Sequence, residues 1–185
     1  MNNNKRVVFL AVLATIVFTF LSFRTVDKPL GRKEVIVAAW ERAKAYTKEY
    51  LDAATDEVYG FKPTPEMRSF AEQMHHLAVD NYKITNAAVV EVTSPPKFKD
   101  LEKEPPLMNK TELTKAVMES YDFVIATING LDEAKLGNTV KMFNKWQTTV
   151  EDGLNKVFEH QTHHRGQTTV YLRLKGITPP KEKLF

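Results

Sequence analysis

Hydrophobic residues recur every three or four positions in four stretches of the chain, residues 33–55, 65–90, 110–131 and 149–174. In the first stretch the repeated positions are Ile36, Trp40, Ala43, Thr47, Tyr50 and Ala54. This spacing is typical of amphipathic helices that bury one face. Glycine is scarce, with 7 residues, and most of the 9 prolines lie between these stretches. The pattern therefore predicts an all-α fold of four helices.

Residue types that favour helix ends place the start of the second helix and the end of the last. Thr64 is a favoured N-cap residue and Pro65 suits the first helical position, so the second helix is predicted to begin there. The last helix is predicted to end at Lys175 and Gly176, because Gly suits the residue after a helix. Two prolines follow at 179–180 and act as a stop.

The two long connections differ in character. Residues 93–106 are rich in proline and lysine, and we expect them to run over the surface of the bundle. Residues 130–148 are also irregular, but three large apolar residues predict that part of this connection packs down. These residues are Met142, Phe143 and Trp146.

The first 24 residues form a separate segment. Lys5 and Arg6 precede an uncharged apolar run at 7–23, which is the layout of a secretory signal. A helix of this run would reach about 26 Å at 1.5 Å per residue, slightly less than a typical hydrocarbon core. We therefore expect an exported protein, periplasmic or otherwise extracytoplasmic, either secreted after cleavage or tethered to the membrane by residues 7–23. A linker (25–32) would then lead to the bundle.

The charge distribution and the absence of cysteine exclude several kinds of partner and site. Three of the 26 basic residues lie in the first 24 positions, which hold no acid, and the remaining 23 balance the 23 acidic residues. The body is thus neutral, and no nucleic-acid partner is expected. The chain has no cysteine, which excludes disulfides, thiolate metal ligands and a cysteine nucleophile.

All five histidines fall in two helices: His75 and His76 in the second, and His160, His163 and His164 in the last. His160 and His164 are four residues apart on one side of their helix, so two imidazoles can occupy adjacent positions on one metal ion. His163 points away from the core and is predicted to lie on the surface. In the second helix neither histidine faces clearly inward. Periodicity slightly favours His75, and two exposed histidines remain the alternative.

Several segments resemble the DinB family. They are Phe61 to Phe70 with His76-Leu77-Ala78, His160 to Gln167, Tyr171-Leu172-Arg173 and Gly176 to Pro180. The resemblance implies an up-down-down-up four-helix bundle over residues 33–180, followed by a short tail (181–185). It also implies a centre of three histidines that binds one divalent metal ion, with His76, His160 and His164 as the ligands. This choice replaces the preference for His75. Gln73 departs from the family pattern, because an apolar residue is expected there.

Residues near the implied centre have open roles. Glu72 lies one turn before His76 and is either an acceptor that orients this imidazole or a solvated side chain. Gly166 allows either close approach of another helix or room for a substrate. Tyr171 is either a packed core residue or a hydroxyl that contacts a bound ligand.

Three neutral imidazoles leave the charge of the metal uncompensated and at least one coordination position open, as in catalytic sites. The family resemblance implies a transferase that acts through a metal-bound thiol on a small molecule. The alternatives are a metal-dependent hydrolase and a non-catalytic metal- or ligand-binding bundle. Imidazole ligands do not distinguish zinc, nickel, iron and manganese. The substrate, and whether the protein is a homodimer, stay open.

Overall fold

The computed structural model describes residues 30–90, 101 and 109–185. The predicted export segment and nearly all of the connection 93–106 lie outside these residues. The long helices are α1 (Arg32–Ala53), α3 (Phe70–Ala88), α4 (Lys110–Gly130) and α5 (Val150–Leu174), and a short helix α2 covers Asp56–Tyr59. A 3₁₀ helix (Glu133–Gly137) and an antiparallel hairpin of β1 (Thr139–Met142) and β2 (Trp146–Thr149) connect α4 to α5. Within the described residues, no helix is both long and apolar enough to span a membrane.

Contacts between helix ends establish the direction of each long helix. The contacts pair Arg32 with Glu151, Lys110 with the carbonyl of Ala54, and Ala88 with Gly153. The first joins the starts of α1 and α5, so these helices are parallel. The other two join the start of one helix to the end of its neighbour, so α4 runs antiparallel to α1 and α3 antiparallel to α5. The bundle is therefore up-down-down-up, and α3 and α5 lie side by side.

The core contains the predicted apolar faces of all four long helices. The largest fully buried side chains are Trp40, Leu51, Phe70, Met74, Leu77, Leu113, Tyr121, Ile128, Leu136, Leu154, Tyr171 and Leu172. Each leucine, phenylalanine or methionine buried in this way stabilises the fold by roughly 1.5–3 kcal/mol relative to an exposed side chain. Packing of these side chains fixes the position of α3 relative to α5.

Helix α3 begins at Phe70, so the predicted start at Thr64 and Pro65 was wrong. Ser69 is the N-cap: its hydroxyl accepts from the Glu72 backbone N–H at 3.2 Å, and the Glu72 carboxylate accepts from the Ser69 N–H at 2.6 Å. This reciprocal pair satisfies two N–H groups that the helix leaves without partners. Glu72 also pairs with Lys62 at 2.9 Å, so it serves the cap and not the imidazole of His76.

The hairpin corrects the prediction for residues 130–148. Val140 and Met142 on β1 are buried, as expected for part of this connection. Phe143 and Trp146 are 45% and 57% exposed, so the part of the connection that packs down does not include these two residues. Phe143 lies in the tight turn between the strands, where it and Asn144 adopt positive φ, and Trp146 is the first residue after the turn.

Helix α5 ends as predicted. The backbone N–H of Gly176 donates to the carbonyl of Arg173 at 3.0 Å, and that of Ile177 donates to the carbonyl of Leu172 at 2.9 Å. This pair of bonds is the Schellman motif, which requires a left-handed residue; Gly176 has φ +71°. Thr149 caps the other end by accepting from the Asp152 N–H.

Candidate metal centre

Three imidazoles meet where α3 faces α5. One ring nitrogen from each of His76, His160 and His164 lies within 4.8 Å of the other two. The ring centre of His76 is 5.1 Å from that of His160 and 4.5 Å from that of His164. His164 is buried, whereas His76 and His160 are half-buried and lie nearer the solvent. The histidines singled out by the family resemblance are thus brought together from two helices.

The spacing between the two histidines of α5 suits a shared ion. Their Nε2 atoms are 3.1 Å apart, because residues four apart lie one above the other on a helix. Two nitrogens bound to one ion at 2.0–2.1 Å with a tetrahedral angle lie about 3.4 Å apart. Small side-chain adjustments are therefore enough for both atoms to coordinate the same ion.

A chain of buried hydrogen bonds orients His164. Its Nδ1 lies 2.7 Å from the side-chain oxygen of Gln73, which can only accept, so the ring proton is on Nδ1 and Nε2 has a free lone pair. The amide nitrogen of Gln73 donates to the hydroxyl of Tyr171 at 3.3 Å. That hydroxyl donates in turn to the carbonyl of Arg68 at 2.6 Å. Tyr171 is fully buried, so it is a packed core residue that supports Gln73.

Asp80 contacts two of the three histidines, and sequence reasoning missed it. Its Oδ2 lies 3.0 Å from Nε2 of His160 and 3.5 Å from Nε2 of His76, and its side chain is 18% exposed. Asp80 follows His76 by four residues, so both side chains are on one face of α3. The four-residue spacing was the feature of the sequence that could have indicated that Asp80 lies near His76. The other ring nitrogen of His160, Nδ1, is buried and has no hydrogen-bond partner among the described residues.

The electrostatic environment favours the neutral forms of His164 and His76 and the ionised form of Asp80. Burial, reinforced by repulsion from His160 and His76, lowers the pKa of His164 to about 3. Burial also lowers the pKa of His76, although Asp80 opposes this effect. For Asp80 burial raises the pKa, but the hydrogen bond from His160 and the attraction of His76 outweigh it, and the net pKa is lowered. Neutral imidazole and ionised carboxylate are the forms that bind metal ions.

The remaining two histidines lie outside the group. His75 is buried, and its Nε2 is 3.1 Å from the carbonyl oxygen of Leu101. The preference for His75 from periodicity was therefore wrong, because His76 is the member of the cluster. The alternative of two exposed histidines was wrong as well. His163 is exposed, as its helical phase predicts, and it pairs with the side chain of Gln167 at 2.8 Å.

A cleft of about 450 Å³ opens beside His76. The loop that precedes α3 forms one wall with Lys62, Met67 and Arg68, and α3 forms the other with His75, His76 and Val79. Three imidazoles, of which that of His76 lines this cleft, form a donor set that fits a divalent transition-metal ion. A small molecule in the cleft would reach the imidazole of His76.

Known proteins share this fold. A DinB-like protein from Bacillus cereus is similar over 80% of this chain and 95% of its own, with 19% identity and a TM-score of 0.69. A putative member of the DinB family from Exiguobacterium sibiricum has 19% identity over 83% and 97% of the two chains, with a TM-score of 0.61. YfiT from Bacillus subtilis, described as a probable metal-dependent hydrolase with an unusual four-helix bundle topology, has 16% identity over 83% and 94%, with a TM-score of 0.61.

No curated protein matches the chain. The model of one sequence family, however, matches residues 39–168, which include all three clustered histidines. Such a match covers well over half of the 185 residues. The chain therefore belongs to the DinB superfamily.

Proposed function

We propose that this protein is a metal-dependent hydrolase that acts on a small molecule and binds one divalent ion through His76, His160 and His164. The observation that carries the proposal is the meeting of three imidazole nitrogens within 4.8 Å, one of them from His76, which lines a cleft. The description of the structurally similar YfiT as a probable metal-dependent hydrolase supports this reaction class. The transferase expected from the resemblance has no separate support, because no described feature identifies a site for a thiol.

The residues of the site have distinct tasks in this proposal. A divalent ion with an open coordination position lowers the pKa of water and polarises a carbonyl or phosphoryl oxygen. His160 and His164 present adjacent nitrogens from one helix, and Gln73 holds the proton of His164 on Nδ1. His76 joins them from α3 and lines the cleft, so a substrate bound there would lie beside the imidazole of His76.

Metal analysis of matched histidine variants tests the proposal. Wild-type protein is expected to bind one equivalent of zinc or nickel, His164→Ala to lose the metal, and His163→Ala to keep it. The exposed His163 is a suitable control because it is adjacent in sequence and outside the group. Metal at 100 times its Kd should stabilise wild-type protein by about 2.7 kcal/mol, and His164→Ala should not respond. Absence of metal from wild-type protein, or full occupancy in His164→Ala, would contradict the metal centre.

Activity assays then test the reaction class. Metal-loaded wild-type protein is expected to hydrolyse members of a panel of chromogenic esters, amides and phosphoesters, and chelation is expected to abolish the activity. The same panel with added low-molecular-weight thiols measures transfer. Turnover that requires a thiol and is absent with water alone would replace the hydrolase by the transferase. Metal binding without turnover in either assay would favour a binding protein.

A further inference from the structure

Asp80 approaches the histidine cluster from an unusual side. The carboxylate or carbonyl that orients a metal-binding histidine normally accepts from the ring nitrogen that is remote from the ion. Gln73 has this position at His164, where it contacts Nδ1. Asp80 instead lies 3.0 and 3.5 Å from the Nε2 atoms of His160 and His76. For His160 this is the same nitrogen that lies 3.1 Å from Nε2 of His164.

These distances match those between atoms that share an ion. Two donor atoms bound at about 2.1 Å lie roughly 3.0–3.6 Å apart when the angle between their bonds is 90–120°. Both contacts of Asp80 fall in this range, as does the contact between His160 and His164.

The charge of a divalent ion also favours a carboxylate among its ligands. Three neutral imidazoles leave the full +2 charge of a divalent ion in a partly buried site, and one carboxylate halves it.

We propose that the Asp80 carboxylate is a fourth protein ligand of the ion, so that the centre is three histidines and one aspartate. This inference rests on the proposed metal centre. An ion with five or six ligands keeps one or two positions for substrate and water on the side of the cleft. A mixed set of imidazole and carboxylate ligands suits manganese and iron better than imidazoles alone do.

Cobalt(II) titration of the full chain tests the assignment without an activity assay. The visible spectrum of bound Co²⁺ reports the number and type of its ligands, and competition with a chelator gives Kd. Asp80→Asn is expected to change the position and intensity of the bands and to raise Kd on the order of 100-fold. Asp122→Asn is the control, because Asp122 pairs with Lys44 on the surface. It should match wild-type protein in both measurements.

Affinity alone does not decide the question, because loss of an outer-shell partner also costs 10–100-fold. A higher Kd with an unchanged spectrum would overturn the proposal, as would a spectrum and Kd equal to those of wild-type protein. No uptake of Co²⁺ or other divalent ions by wild-type protein would overturn both this inference and the metal centre. A crystal structure of Co²⁺-loaded wild-type protein is independent of the variants: an Oδ2–Co distance near 2.1 Å supports the assignment, and one beyond 3 Å overturns it.

Discussion

The side-chain oxygen of Gln73 lies 2.7 Å from Nδ1 of His164, and both side chains are buried. The two residues are on different helices, so this bond links the orientation of the imidazole to the packing of α3 against α5. An apolar residue at position 73 would leave the N–H of His164 buried and without its acceptor. The polar residue that departs from the family pattern therefore has a physical task in this chain.

Replacement of Gln73 by leucine should weaken metal binding 10–100-fold, as removal of such partners usually does. Isothermal titration with zinc or nickel measures the effect. Gln167→Leu is the matched control, because Gln167 also bonds to a histidine, the exposed His163 outside the cluster. Equal affinities of Gln73→Leu and wild-type protein would show that the bond does not support the site.

The helices and half of the site follow from the sequence. The predicted four-residue spacing of His160 and His164 on one side of α5 was enough to bring their nitrogens together. Phase within one helix does not, however, give the angle at which a second helix crosses it. His76 lies at the edge of α3 and still meets α5, so neither its role nor that of Asp80 could be read from periodicity alone.

The start of α3 shows a competition between two local signals. Thr64 followed by Pro65 is a good helix start, but Ser69 with Glu72 satisfies two backbone N–H groups at once. The residues before Ser69 form a loop that lines the cleft and is attached to α5 through the bond from Tyr171 to Arg68. That bond joins residues 103 positions apart, which no local pattern includes.

Ser69→Ala should accordingly destabilise the protein by about 1 kcal/mol, the usual cost of a lost N-cap. Thr64→Ala is the comparison, since that residue does not cap the helix and a surface change usually costs within about 0.5 kcal/mol. Urea unfolding followed by circular dichroism measures both. A larger loss for Thr64→Ala than for Ser69→Ala would mean that α3 begins earlier in solution.

Two glycines of α5 should respond in opposite ways to alanine. A Cβ at Gly153 would lie 2.7 Å from the Cβ of Ala88 and 3.3 Å from its Cα, so α3 and α5 would have to separate. Gly153→Ala should destabilise by about 1–3 kcal/mol. A Cβ at Gly166 meets nothing within 4 Å among the described residues, so the alternative of a close approach by another helix has no support among them.

Gly166→Ala should therefore stabilise the helix by roughly 0.5–1 kcal/mol, because alanine loses less backbone freedom on folding. Thermal unfolding of the two variants provides the measurement. The order of stability is expected to be Gly166→Ala, then wild type, then Gly153→Ala. A destabilised Gly166→Ala with normal metal binding would show that a contact outside the described residues restricts this position.

Stability of the metal-free protein should fall on acidification because of His164. Its folded pKa of about 3 is below the unfolded value of about 6.5, so the unfolded chain binds more protons between these two pH values. The contribution to stability is complete above pH 6.5 and is lost as the pH falls toward 3. A difference of one proton changes the free energy of unfolding by at most about 1.4 kcal/mol per pH unit.

Urea unfolding of chelator-treated protein at several values between pH 7 and 5 isolates this effect, because carboxylates titrate mainly below that range. The slope of stability against pH should be smaller in His164→Gln than in wild-type protein, with a remainder from His76, whose pKa is also lowered. If His164→Gln retains the full slope, His164 is not the group whose protonation opposes folding.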